Sequence, residues 1–302
     1  MAETQAGTLK CGFVALVGRP NVGKSTLLNA LLGQKVSIVT RKPQTTRHRI
    51  LGIHNLPGAQ IAYVDTPGLH QGRRSAMNRY LNEAAASALA DVDVLVFVVD
   101  GGRWTEEDDA VLARLRQAES PVVLVINKVD RLRDKTRLLP LIERLSGLHD
   151  FAAVVPISAE RRDNLLALEE ELLQRLPEGP ALFPRDQVTD RGERFMAAEL
   201  VREQLMASLG EELPYASTVE IEAFEQEGRL RRIAAVIWVE RPGQRRIVIG
   251  EGGKRLKHVG RAARQEMERL FDGRVYLQLW VKVREGWSDD ERMLRSLGYD
   301  EV

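Results

Sequence analysis

The sequence predicts an α/β domain, with a mostly parallel sheet and helices on both of its faces, followed by a smaller α+β domain. Three observations carry that reading. In the first half of the chain short apolar runs alternate with helical stretches, and Val94–Val99 is apolar without a break. Such a run suits a parallel strand covered on both faces, which has no solvent side for polar residues. A proline-punctuated stretch, Pro177–Arg185, then interrupts the alternation. Beyond it the charge changes. Arg229 to Arg284 holds fifteen Lys and Arg against five Asp and Glu, in a chain whose formal net charge is only +1. A basic block inside a neutral chain marks a surface for a polyanion. The expected division is residues 1–177 for the first domain, 178–189 for a linker, 190–285 for the second domain and 286–302 for a tail.

Composition narrows the class. With 302 residues, 44% hydrophobic and 29% charged, the chain is long and apolar enough for two soluble cores. Its single cysteine, Cys11, leaves no intrachain disulfide and no cysteine-built zinc site, and the histidines lack metal-ligand spacing. No apolar run approaches a membrane span, and Met1–Lys10 lacks the basic-then-apolar pattern of a secretory signal. A reducing cytoplasm is the expected compartment.

In chain order, Phe13–Val17 is the first strand and Thr26–Leu32 reads as the first helix. Between them stands Gly18-Arg19-Pro20-Asn21-Val22-Gly23-Lys24-Ser25, a G-x-x-x-x-G-K-S loop in the strand–loop–helix context that gives the pattern its meaning. Glycines let backbone N–H groups close around phosphates, and the helix start adds its positive dipole end. Gly18, Asn21, Val22, Gly23, Lys24, Ser25 and Thr26 are therefore the candidate phosphate-binding positions. Lys24 supplies charge to the β- and γ-phosphates, and the Ser25 hydroxyl is placed to ligate Mg²⁺. The expected ligand is a nucleoside triphosphate.

Lys35–Arg49 is polar and broken by Pro43, with the cluster Pro43-Gln44-Thr45-Thr46-Arg47. It reads as a mobile segment whose threonine reaches Mg²⁺ when a γ-phosphate is present. Gln60–Val64 is a strand ending in Asp65-Thr66-Pro67-Gly68, about 40 residues after Lys24, the length of one helix and one or two strands. Asp65 can hold Mg²⁺ through a water, and the Gly68 N–H can be drawn to the γ-phosphate. Arg73–Ala90 is alanine-rich and helical, and Thr105 with Asp108 forms a capping box for a helix through Gln117. Strand Pro121–Ile126 then delivers Asn127-Lys128-Val129-Asp130. The Asp130 carboxylate can accept both N1–H and the 2-amine of guanine; adenine offers neither and would leave it unpaired. The Lys128 stem can lie over the base, and Asn127 can tie the loops together. Strand Ala152–Ile157 ends at Ser158-Ala159, whose Ala159 N–H can donate to guanine O6, and Asn164–Leu176 closes the domain as a helix. Each tetrapeptide alone is a common turn. Four in this order, each at a strand end, form the guanine-nucleotide series of a P-loop GTPase domain.

Lys24, Thr46, Asp65 and Gly68 are the candidate catalytic positions. Ras-type GTPases place a glutamine directly after D-x-x-G to orient the attacking water. Here Leu69 stands there and cannot do so. Arg47 and Arg73 lie in segments expected to be mobile, but nothing in the sequence marks either as an arginine finger. Slow intrinsic hydrolysis is expected.

In the second domain, Arg191–Leu209 has helical periodicity, and strands Thr218–Phe224 and Leu230–Val239 are joined by a turn over Glu225–Arg229. Ile247-Val248-Ile249-Gly250-Glu251-Gly252-Gly253-Lys254-Arg255 leads into a long basic helix ending at Leu270, and Arg274–Val283 is a last strand. The order α-β-β-α-α-β, with G-x-x-G between the adjacent helices, resembles a type II KH domain. Candidate RNA-binding residues are Ile249, Gly250, Glu251, Gly252, Gly253, Lys254, Arg255 and Lys257. The glycines let a nucleic-acid backbone pass closely, and the cations meet phosphates. Glu251 departs from the cation often found inside this loop.

The phosphate loop, P-Q-T-T-R-H-R, D-T-P-G-L-H, N-K-V-D and I-V-I-G-x-G-G together resemble the Era family of bacterial GTPases over nearly the whole chain. The resemblance implies binding of single-stranded rRNA at the 16S 3′ end and assistance to maturation of the small (30S) ribosomal subunit. It also implies a cytoplasmic protein with peripheral contact to the inner face of the membrane, expected here as a monomer. By position it assigns Mg²⁺ to Ser25, Thr46 and Asp65, with Thr45 the second choice for Thr46. Asn21 carries two readings: a turn former, and a ligand for K⁺ as in related bacterial GTPases, where the ion does an arginine's electrostatic work. A switch is the expected mechanism, with GTP ordering residues 36–47 and 68–80 and so biasing how the second domain docks. Two readings compete with it: a membrane-associated signalling GTPase whose second domain binds a protein, and an RNA chaperone in which the nucleotide serves only stability.

Overall fold

The computed structural model describes residues 8–68, 76–87, 91–210 and 213–299. The first domain begins with β1 (Leu9–Val17), α1 (Lys24–Leu32), β2 (Ile50–Leu56), β3 (Ala59–Asp65) and α2 (Ala76–Ser87). It continues with β4 (Val94–Asp100), α3 (Glu106–Leu115), β5 (Val122–Asn127), α4 (Leu138–Ser146), β6 (Ala153–Pro156) and α5 (Leu165–Leu173). The strands lie in the order β2-β3-β1-β4-β5-β6, all parallel except β2, which runs antiparallel to β3.

The alternation of side chains along these strands builds two cores, one on each face. Val14, Leu16, Val96, Val98 and Val125 pack against Leu27 and Leu28 of α1 and Leu168 and Leu172 of α5. Ala15, Val17, Leu95, Phe97 and Ile126 pack against Val111, Leu112 and Leu115 of α3 and Leu145 of α4. The capping box forms as expected: the Asp108 carboxylate accepts from the Thr105 N–H at 2.9 Å. The same oxygen accepts from Arg19 Nε at 2.9 Å, tying α3 to the phosphate loop. Because β1 lies between β3 and β4, the chain winds outward in both directions from it. The crevice beyond its C-terminal end is where such sheets gather ligands.

The segment expected to be a linker, 178–189, begins inside this sheet. Strand β7 (Glu178–Gly179) pairs with Leu9 and Lys10 of β1, and Phe183 packs edge-on against Phe13 at 6.1 Å. The Gln60 side chain accepts from the N–H groups of Leu182 and Phe183, so the prolines shape a strap whose backbone is satisfied by the domain.

The second domain comprises α6 (Glu193–Ser208), β8 (Ser217–Glu227), β9 (Leu230–Val239), α7 (Pro242–Ile249), α8 (Lys254–Leu270) and β10 (Arg274–Val283), the order read from the sequence. The sheet runs β10-β9-β8, with β9 parallel to β10 and antiparallel to β8. β8 is longer than its apolar pattern, because pairing continues through Glu225, Gln226 and Glu227 to a tight turn at Gly228, whose φ is 59°. Met196, Leu200, Ile233, Ile237, Val259, Ala263 and Met267 join in the core between helices and sheet.

The tail packs back on the molecule. Trp287 is fully buried, α9 (Glu291–Ser296) is capped by Asp290, and both form a cluster with Met77, Tyr80 and Leu81 of α2. The tail therefore packs between α2 of the first domain and Trp238 of the second. Leu69, Arg73 and part of the expected Arg73–Ala90 helix lie outside the described residues.

Candidate nucleotide-binding site and nucleic-acid groove

The phosphate loop needs its glycines for different reasons. Gly18 has φ +152°, and a Cβ there would sit 2.4 Å from the Val98 carbonyl oxygen; at Gly23, φ +104°, it would sit 2.4 Å from Asn127 Nδ2. The loop opens on a cleft of about 410 Å³ lined by Asn21, Lys24, Ser25, Thr26, Thr46 and Gly68 among others. Lys24 is buried, and its ammonium donates to the carbonyls of Gly18 at 2.9 Å and Arg19 at 3.1 Å. Burial lowers its pKa to about 8, with Asp65 pulling it up and Arg19 pushing it down.

Three of the expected metal ligands converge. Ser25 Oγ lies 2.8 Å from Thr46 Oγ1 and donates to Asp65 Oδ2 at 2.7 Å. Hard divalent cations such as Mg²⁺ take oxygen donors of this kind, two hydroxyls beside a carboxylate. The buried Asp65 Oδ1 has no hydrogen-bond partner, a vacancy in its acceptor set that an ion or its water shell would fill. Burial raises the Asp65 pKa, while Lys24 and the hydroxyls of Ser25, Ser37 and Thr46 pull it back. The donor set fits Mg²⁺. Thr45 is turned away from it, with its hydroxyl held by Thr40 at 2.6 Å and the Lys42 carbonyl at 2.7 Å. Ser37, which donates to Asp65 Oδ2 at 3.0 Å, escaped the sequence reading because no motif marks a serine in a polar loop.

At the base-reading end, Asn127 joins three loops. Its Nδ2 donates to the Val22 carbonyl at 2.9 Å, and its Oδ1 accepts from the N–H groups of Lys128 at 2.8 Å and Ala159 at 3.0 Å. The Ala159 N–H was expected to face guanine O6; here it is used by Asn127, since a buried donor takes the nearest acceptor. Ser158 is fully buried, and its hydroxyl accepts from the Arg161 N–H at 3.1 Å, which shapes the turn. Lys128, with φ 65°, reaches across to Asp100 at 2.8 Å and to the Asn21 carbonyl. Burial pushes Asp100 up, but bonds from Lys128 and the Gly102 N–H outweigh it and leave its pKa lowered. Asp130 Oδ1 is buried without a partner, the state in which a carboxylate awaits a donor pair.

Arg47 is not available as an arginine finger. It is 1% exposed, and its guanidinium donates to the Ser217 carbonyl at 2.9 Å, inside the second domain. In this conformation the segment is bonded to the second domain at several points. Arg202 donates to the Thr45 carbonyl, Glu203 accepts from the Val39 N–H at 2.9 Å and from Lys35 at 2.6 Å, and Lys42 donates to the Leu209 carbonyl.

The G-x-x-G loop turns between α7 and α8 through left-handed backbone at Gly252 and Gly253, both with open space beside them. Gly250, with φ 74°, packs so closely that a Cβ would lie 2.8 Å from Arg255 Cβ. Glu251, Lys254 and Lys257 are exposed. Two expected RNA contacts are placed otherwise: Arg255 folds back to donate to the Ile247 carbonyl, and Ile249 packs on the domain core. A helix C-terminus attracts a cation and a core attracts an aliphatic side chain, whatever the motif suggests. Beside the loop runs an open groove of about 870 Å³, floored by Leu256, Leu277 and Leu279 and flanked by Lys257, Arg261 and Arg264. Gly260 brings α8 close to β10; a Cβ there would stand 3.3 Å from Leu279 Cδ1. Lys257 was among the candidates, but Leu256, Arg261, Arg264, Leu277 and Leu279 were missed because the groove is built from two elements. The one local signal was a glycine in the middle of a basic helix.

Comparison with known proteins finds relatives for both domains. Residues 13–128 match the family described as 50S ribosome-binding GTPase, and residues 212–288 match the KH domain family. The chain is 58% identical over 290 residues to the GTPase Era of Stenotrophomonas maltophilia, covering 96% of this chain and 97% of that protein. It is 59% identical over 291 residues to the GTPase Era of Xanthomonas oryzae, with the same coverage. Among solved structures, Era in complex with MgGDPNP and nucleotides 1506–1542 of 16S ribosomal RNA superposes with a TM-score of 0.93 at 40% identity, over 96% of this chain and 99% of that one. An Aquifex aeolicus Era variant bound to GDP·AlF4⁻ gives the same TM-score, identity and coverage.

Proposed function

This chain belongs to the Era family of GTPases, and from that premise we propose how its two domains act as one RNA-binding switch. The chain hydrolyses GTP and carries a KH domain. Its RNA ligand is single-stranded 16S rRNA near the 3′ end, by which it assists assembly and maturation of the small ribosomal subunit. The related Era structure bound to a 16S rRNA segment supports this reading.

One observation carries the coupling: residues 36–47 touch the nucleotide site and the RNA domain at once. Thr46 joins Ser25 and Asp65, while the adjacent Thr45 carbonyl accepts from Arg202 of α6. Mg²⁺, when bound, neutralises charge between the β- and γ-phosphates. Ser25, Thr46 and Asp65 would hold it; Lys24 leaves the Gly18 and Arg19 carbonyls for the phosphates. Gly68 lies against the loop, where a Cβ would meet Pro20 Cγ at 2.8 Å, so its N–H can turn to the γ-phosphate. Asp130 reads the guanine edge. Movement of Thr46 carries Thr45 with it and is felt at Arg202.

Hydrolysis is slow; Asn21 stands with φ 62° on the exposed lip of the cleft, where beyond shaping the turn it would hold a K⁺ that supplies charge stabilisation. Equal rates in K⁺ and Na⁺ buffers would sink that assignment. The protein acts as a cytoplasmic monomer. Contact with the inner face of the membrane is peripheral; no helix of the described residues is long and apolar enough to cross.

The test is binding of the full chain to single-stranded RNA from the 16S 3′ end with a non-hydrolysable GTP analogue, with GDP and without nucleotide. Tighter binding with the analogue is expected. Equal binding in all three states would refute the switch, and no binding would favour a protein partner for the second domain.

A further inference from the structure

β10 is an edge strand, and its side chains alternate between two surfaces. Leu277 and Leu279 face the helices and floor the groove. Tyr276, Gln278 and Trp280 face the other way, onto the outer side of the sheet. Tyr276 is 49% exposed and Trp280 43%, the two aromatic rings among the large exposed hydrophobic side chains of the described residues. Four residues apart on one strand, they stand about 13 Å from each other. Arg232, in register with Tyr276 on β9, lies 5.8 Å from its ring centroid, and Gln278 Nε2 donates to the Tyr276 hydroxyl at 3.1 Å.

The outward row of β10 thus reads Arg274, Tyr276, Gln278, Trp280, Lys282: two rings flanked by cations, with no carboxylate. Glu222, Glu225 and Glu227 lie on β8, the far edge, where Glu222 pairs with Lys282 and Glu227 with Arg232. They would repel a polyanion from that side and confine it to the β10 side. The end of the face near Trp238 is already closed by the cluster that includes Trp287, Leu294 and Tyr299.

We propose that single-stranded RNA leaving the groove crosses the β10 edge and continues along this outer face, its bases stacked on Tyr276 and Trp280. Arg274 meets its phosphates, while Lys282 stays paired with Glu222. The inference rests on the RNA reading of the groove, with which the face is continuous, since groove floor and outer row are alternate residues of one strand. Spaced rings separated by a polar amide and flanked by cations suit successive bases better than a protein, which would bury a contiguous apolar patch. Every base has a face to stack, so the extension adds affinity and length of footprint with little sequence preference.

The test titrates the full chain, with the GTP analogue present, against two RNAs from the 16S 3′ end. One, of roughly five nucleotides, fills only the groove, and one of roughly twelve reaches over the edge. The longer RNA is expected to bind about tenfold tighter or more. Tyr276→Ala and Trp280→Ala should each remove most of that gain and leave the short RNA's affinity unchanged, whereas Trp280→Phe, which keeps a ring, retains it. Equal affinity for both lengths, a gain that survives both alanine substitutions, or equal weakening of both RNAs overturns the outer-face path while the groove reading stands. Binding of neither RNA overturns both.

Discussion

At the scale of single residues, the site is governed by groups whose burial leaves them waiting for a ligand. Lys24 is held at about pKa 8 by burial, against an ordinary 10.5. In the free protein it loses its proton as pH rises through 8, whereas phosphates beside it favour the charged form. Binding above pH 8 must therefore take up a proton, and GDP affinity should fall by up to about tenfold per pH unit. Fold stability responds with the opposite sign: between pH 8 and 10.5 the unfolded chain binds more protons, so Lys24's contribution to stability rises with pH. Measuring affinity by titration and stability by thermal melts over that range checks both signs. Asp130 is a second such group. Asp130→Asn replaces an acceptor with a donor facing the 2-amine of guanine and should weaken GTP binding roughly a hundredfold or more. Xanthine, with a carbonyl at that position, should be weakened far less, and competition between the two nucleotides decides it.

At the scale of elements, α6 and α8 divide coupling from affinity. Glu199 and Arg202, both buried, pair on α6 at 2.6 Å. Burial pushes Glu199 up, but the Arg202 guanidinium outweighs it and holds the carboxyl below its usual range. Arg202→Met strands that carboxylate and should cost about 3–5 kcal/mol in denaturant unfolding. Adding Glu199→Gln should restore much of the stability, yet RNA binding should no longer depend on nucleotide, because the Thr45 carbonyl has lost its donor. Restored coupling in the double variant would count against the relay. On α8, Val259, Ala263 and Met267 hold the apolar face to the core and leave the cations outward. Replacing Lys254 and Lys257 by Gln should weaken RNA binding and reduce the slope of log affinity against log salt by about 1.4. An unchanged slope would mean that neither lysine meets a phosphate.

At the scale of the whole molecule, both expected switch segments end on one seam. His48, just past Thr46, stacks on Tyr299 of the tail at 4.5 Å and meets Phe195 of α6 and Tyr80 of α2 edge-on. Burial lowers its pKa to about 4; Glu199 pulls upward, while Arg202, Arg191 and Arg47 add to the lowering. The unfolded chain, near 6.5, binds the proton first. The stability that His48 contributes is therefore fully present above pH 6.5 and is lost as pH falls toward 4. Thermal midpoints should drop across that window, and His48→Phe should flatten the drop. An equally steep drop in the variant would assign the acid sensitivity to other groups.

The sequence by itself determined the phosphate loop, D-x-x-G, N-K-x-D and S-A at successive strand ends, and the α-β-β-α-α-β order with its G-x-x-G turn. These are local patterns, set by the period of apolar residues and by backbone that only glycine adopts readily. Only the tertiary structure decided which distant groups those patterns meet. Arg47 bonds to Ser217, 170 positions away, and Ser37 reaches Asp65 from an unmarked loop. Ala159 is claimed by Asn127, the start of the linker becomes a strand beside β1, and the groove beside the G-x-x-G loop is floored by leucines from a helix and a strand. Each of these is a contact between segments far apart in sequence. A buried donor, charge or ring settles on whichever partner packing brings within reach, and no spacing rule in the chain records that choice.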